Sequence, residues 1–160
     1  MKSLRIVVVS ITAIGIVMAT PSIAENLFDN SSMDSSSSWR GDRDYEAEPG
    51  NEENRVIVLE ANERRAVSFY QDVNTTRIKD LIFKFRYKSD NYKGRGYQTR
   101  GIRTDRSSTF RNRTVEADGE WHEVEWRFSE IRGSRRIRFE IELLEGEGEV
   151  LFDDVTVEEM

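Results

Sequence analysis

The chain has 160 residues, 34% of them charged, a formal net charge of −6, one histidine and no cysteine. The missing cysteines exclude a disulfide framework and thiolate metal sites, and a lone His122 leaves no material for a multi-histidine metal cluster. The acidic balance argues against nucleic acid as a partner, and the length suits one domain with one core.

Lys2 and Arg5 precede an apolar run from Ile6 to Met18, followed by Pro21-Ser22-Ile23-Ala24 with small residues where a signal peptidase reads. Residues 1–24 are therefore expected to be a cleaved secretory signal peptide. The run is short for a membrane span, so no membrane association is expected after cleavage. Residues 25–160 then form a single secreted or periplasmic domain. Lacking disulfides, it must hold together by packing, with or without a metal.

The Ser-rich run 31–38 reads as a loop after a short N-terminal strand. Beyond it, alternating segments recur with turn-rich stretches between them, and helical periodicity is nearly absent. Strands are expected at Val56–Glu60, Ala66–Val73, Tyr97–Arg103, Phe110–Glu116 and Val150–Val157. The alternation is cleanest where Leu81, Phe83, Phe85 and Tyr87 interleave with Ile82, Lys84, Arg86 and Lys88. His122, Val124, Trp126 and Phe128 repeat the pattern, as do Ile137, Phe139, Ile141 and Leu143. Each is a strand with one dry and one wet face. About eight strands in this length predict an all-β fold, a two-sheet antiparallel jelly-roll sandwich.

Charge is uneven along the chain: the net is −7 over residues 25–75, +9 over 76–114 and −10 over 115–160. Arg86, Arg95, Arg100, Arg103, Arg106, Arg111 and Arg113 crowd the basic middle. Guanidinium forks match carboxylate and sulfate groups, so convergence on one face would suit an anionic ligand. Equally, these side chains can pair with the neighbouring Glu-rich strands. Tyr92 and Tyr97 flank the bend "NYKGRGY" and are candidate stacking surfaces. Trp121 and Trp126 read as core or rim, His122 as a partly buried strand residue, and Trp39 as loop contact or packing.

The stretch "VLFDDVTV" places Asp153 and Asp154 side by side near the end of the chain. Glycosidase chemistry needs two carboxyl groups facing one cleft. Neighbours on a regular strand point to opposite faces, so only a bulge would bring this pair together. An exposed edge that discourages strand pairing is another reading of the two aspartates.

The order of these signals resembles the galactose-binding-like jelly rolls, in particular the carbohydrate-binding modules appended to xylanases and β-glucanases. The resemblance is carried by Asn26-Leu27-Phe28-Asp29-Asn30-Ser31-Ser32-Met33-Asp34 followed by Trp39, then "SFYQDV" (68–73) and "LIFKFRYKS" (81–89). It closes with "WHEVEWRF" (121–128), "RIRFEIELLEGEG" (136–148) and "FDDV" (152–155). The departures are at Ser31, Met33 and Asp34, and in the lack of an attached enzyme. The resemblance implies a non-catalytic polysaccharide-binding role and a structural Ca²⁺ joining the first and last strands, with Asp34 and Asp153 as its side-chain ligands. The sequence thus assigns ligand binding to Arg86, Tyr92, Tyr97, Arg100, Arg103 and Arg113, with an acidic polysaccharide as the expected partner. The alternative is an envelope or matrix protein-interaction domain on the same fold.

Overall fold

A computed structural model describes residues 26–29, 31–33, 38–75, 80–104, 106–129 and 135–160; the expected signal peptide lies outside them. Twelve strands occur in these residues, and no helix. They are β1 (Arg40–Gly41), β2 (Asp44–Glu48), β3 (Asn51–Glu60), β4 (Val67–Asn74), β5 (Leu81–Lys88) and β6 (Lys93–Gly94). The remainder are β7 (Tyr97–Arg103), β8 (Ser108–Arg113), β9 (His122–Phe128), β10 (Arg136–Leu143), β11 (Gly146–Glu147) and β12 (Glu149–Glu159). Sheet I has the order β1-β4-β10-β7-β8 and sheet II the order β2-β3-β12-β5-β9, both antiparallel, with β6 and β11 as a small separate ribbon.

The expected two-sheet sandwich is therefore present, and the strand boundaries shift by a few residues. The strand expected at Phe110–Glu116 runs from Ser108 to Arg113. The one expected at Val56–Glu60 starts earlier, at Asn51, because Glu48-Pro49-Gly50-Asn51 closes a hairpin with β2. β2 itself, Asp44–Glu48, carries little apolar alternation and has only weak sequence signal.

Alternation dictates the core. Phe83, Phe85 and Tyr87 of β5 face Phe139 and Ile141 of β10 and Tyr97 of β7, all buried. Their rings meet edge-on or tilted, as with Phe83 and Phe139 at 5.1 Å and Phe85 and Tyr97 at 5.7 Å, the arrangement aromatic quadrupoles favour. Trp39 is 1% exposed and packs on Phe28 and Phe69, which assigns it to packing. The chain ends are joined by hydrogen bonds: Leu27 N donates to Val157 O at 2.8 Å, and Val157 N to Asn26 Oδ1 at 3.0 Å.

Candidate functional site

The arginines of the basic middle do not converge. Arg86 lies on the outer face of sheet II, whereas Arg100 lies on the outer face of sheet I. Arg103, at the end of β7, stacks on Phe128 at 5.2 Å and donates to Ser107 Oγ at 3.3 Å. Arg113 is exposed on edge strand β8, opposite Tyr97.

The two tyrosines are corrected more sharply, because neither offers a ring to a ligand. Tyr97 is 2% exposed, between Phe85 and Tyr87, and burial pushes its phenol well above the usual range. Tyr92 is also buried; its hydroxyl accepts from Gly96 N at 3.0 Å and donates to Leu144 O at 3.2 Å. Gly96 has a φ of +92°, and a Cβ there would meet Arg113 O at 2.0 Å, so the bend requires glycine and the tyrosine pins it. What reads as an exposed aromatic loop is a structural lock.

On sheet I the outward residues form rows across the strands. One row runs Arg40, Tyr70, Glu140, Arg100, Phe110 over β1, β4, β10, β7 and β8. With strands spaced about 4.8 Å apart, Tyr70 and Phe110 stand about 14 Å apart. Phe110 is 56% exposed, the only exposed large aromatic side chain among the described residues. Arg138 lies 3.9 Å over the Tyr70 ring, making a flat plank whose guanidinium edge still carries donors.

Between these ends, Arg100 Nη1 pairs with Glu140 at 3.3 Å and Glu142 at 3.7 Å. Ser68 Oγ donates to Glu140 Oε1 at 2.9 Å, and Gln98 Nε2 to Asn112 Oδ1 at 2.6 Å beside Phe110. Asp72 takes both Arg136 and Arg138, at 2.7 and 3.2 Å. Burial holds the Glu142 carboxyl above its ordinary value, against the pull of Arg100. The face is thus dense in donors and acceptors while its charges cancel locally. The sequence reading missed Tyr70, Phe110, Arg138, Glu140 and Glu142. One signal was available: Phe110 is the only apolar residue in "STFRNR" and so has no dry face to serve.

The outer face of sheet II is built differently. β12 pairs with β3 only through Ile57–Glu60, so the Asn51–Arg55 end of β3 leaves β12. From this hairpin, Glu48 Oε1 accepts from Trp121 Nε1 at 2.9 Å, although Trp121 leads into β9 at the other edge of the sheet. Val56, Val58 and Leu151 are buried on this outer side and pack with Trp121. Arg86 lies 4.4 Å from the Trp121 ring and pairs with Asp153, which is 1% exposed. Asn54 Nδ2 bridges Glu48 and Asp153 at 2.9 Å each, and the Asn54 bond is the chief cause holding the Glu48 carboxyl below its ordinary value.

Here β12 is bulged: its register shifts between Asp153 and Thr156, and Asp154 takes a φ of +50°. Strand alternation therefore does not separate the aspartate pair. Asp154 Oδ2 lies 3.0 Å from Arg86 Nε, so both carboxylates close on one guanidinium. Burial, and next the neighbouring Asp153 charge, raise the Asp154 carboxyl.

For calcium, Asp34 lies outside the described residues. Asp153 meets the Arg86 guanidinium and the Asn54 amide N–H.

No protein-family model and no curated protein matches the sequence. Solved structures do match. TmCBM61 in complex with β-1,4-galactotriose superposes with a TM-score of 0.58 at 16% identity, over 86% of this chain and 100% of that one. The CBM22-1 xylan-binding domain from Paenibacillus barcinonensis gives a TM-score of 0.60 at 11% identity, over 85% and 95%. The chain has the fold of these carbohydrate-binding jelly rolls. It also matches the enzymatically active domain of bacteriophage CBA120 tailspike protein 4, with a TM-score of 0.66 and 12% identity over 84% of its length, but spans only 21% of that chain.

Proposed function

We propose that this chain is an exported, non-catalytic polysaccharide-binding module that takes an uncharged glycan across the outer face of sheet I. The observation that carries the reading is the row Tyr70–Glu140–Arg100–Phe110, with an exposed ring at one end and a guanidinium-topped ring at the other. A pyranose stacks its C–H face on Phe110, while Arg100, Glu140, Gln98 and Asn112 exchange hydrogen bonds with ring hydroxyls. Such a row suits an extended chain lying across the strands. Support also comes from the folds of the xylan-binding and galactotriose-bound modules, a likeness of architecture that does not name the sugar.

The ion pairs support the uncharged class. An acidic polymer would have to draw Arg100 away from two glutamates and Arg136 and Arg138 away from Asp72. We propose the uncharged class in place of the acidic ligand expected from the arginine count. The test is affinity electrophoresis in xylan, β-1,4-galactan and a polyuronate at low and high salt. Retardation by a neutral polymer, unchanged by salt and lost in Phe110→Ala, is the expected result. Binding to the polyuronate alone, or retention unaltered in Phe110→Ala, overturns the reading.

A further inference from the structure

The connection from β8 to β9 crosses between the two sheets and carries Glu116, Asp118 and, at its end, His122. His122 Nε2 lies 2.9 Å from Asp118 Oδ1, and Nδ1 lies 3.8 Å from Glu116 Oε2. The imidazole is stacked on Tyr87, with centroids 5.2 Å apart and planes 25° from parallel. The same tyrosine's hydroxyl accepts from Glu116 N at 3.3 Å, so one buried ring sets both the imidazole plane and the backbone that delivers Glu116. The group sits at the rim of a cleft of about 420 Å³ between the sheet edges, lined also by Tyr97 and Arg113.

One donor atom from each of Glu116, Asp118 and His122 lies within 4.8 Å of the other two. Zinc binds imidazole nitrogen and carboxylate oxygen at about 2.0–2.2 Å, so three ligands on one ion stand somewhat closer together than this. Glu116 and Asp118 are 66% and 50% exposed, Asp118 Oδ1 also accepts from Glu120 N at 3.0 Å, and the imidazole is less exposed than either carboxylate. Glu120 adds negative charge near the imidazole, which favours a cation.

We propose that Glu116, Asp118 and His122 form a surface site for one divalent transition-metal ion of the zinc class, with water completing the shell. An imidazole ligand selects this class over calcium and magnesium, which take oxygen alone. The site also has a structural reach. The connection it would fix carries Trp121, whose indole holds Glu48 over Arg86, so the ion would brace the closed face of sheet II.

The test is unusually clean because the chain holds one histidine and no cysteine, so any imidazole signature comes from His122. Untagged protein is titrated with ZnCl₂ and with CaCl₂ by calorimetry, and with CuCl₂ under electron paramagnetic resonance. The expected results are one equivalent of zinc, no calcium heat, and a copper spectrum showing coupling to a single nitrogen. His122→Gln and Asp118→Asn should each weaken zinc by at least about tenfold, since even outer-shell losses cost that much. A metal-free melting temperature and circular dichroism spectrum matching wild type establish that each variant is folded. Zinc heat equal in wild type and both folded variants, or absent from wild type, overturns the proposal.

Discussion

The two outer faces of the sandwich are built from similar residues and put them to opposite use. On sheet I, charged pairs run sideways along the rows and leave Phe110 in solvent. On sheet II, a hairpin and the residue leading into β9 close over the face, burying Asp153 against Arg86. The difference is one of geometry: outward side chains on a regular sheet can reach only neighbours in their own plane. A strand that leaves its partner, like the Asn51–Arg55 end of β3, can bring groups above the plane and desolvate what lies beneath.

Arg86→Ala should separate the faces most. It strips the charge partner from a carboxylate that is 1% exposed, and breaking a buried pair this way costs about 3–5 kcal/mol. Urea denaturation should show that loss, while the remaining folded protein binds neutral glycan as wild type does. A comparable loss of glycan binding would mean that sheet II belongs to the ligand site. Next, Phe110→Ala should weaken glycan binding by about tenfold, the range of a lost stacking contact, with stability within about 0.5 kcal/mol of wild type. Equal effects on both would place Phe110 in the fold instead.

Arg100→Ala tests the row between the aromatic ends. It removes a partly exposed pair worth about 0–1 kcal/mol, so stability should change little while binding falls. The smallest effect concerns acid. The Glu48 carboxyl is held below its ordinary value of 4.5, chiefly by Asn54. Its contribution is therefore complete above pH 4.5 and lost as pH falls through the lowered value. Fluorescence that reports Trp121, taken as wild type minus Trp121→Phe, should change only below pH 4.5. A transition above that pH would assign the closure to another group.

Much of the fold was legible in the sequence because a strand with one buried face must alternate. Leu81 to Lys88 and Arg136 to Leu143 appear where the pattern puts them. The site was less legible. Arg100 and Glu140 are 40 positions apart, and only the β7–β10 register makes them opposite. Tyr92 and Tyr97 misled because a glycine-rich bend resembles an exposed loop, whereas these rings turn inward and pack. Asp153 and Asp154 misled because a bulge overrides the two-residue period, and nothing in "FDDV" announces a positive φ.

By itself, the sequence determined which face is dry in the alternating strands such as β5 and β10, and therefore that two sheets must stack. Side-chain period is a local property, set residue by residue. The tertiary structure alone decided which wet faces meet solvent, which arginine meets which carboxylate, and that Asp153 is buried while Phe110 is not. Those outcomes depend on register, on the bulge in β12 and on the hairpin crossing sheet II, and each joins residues far apart in the chain.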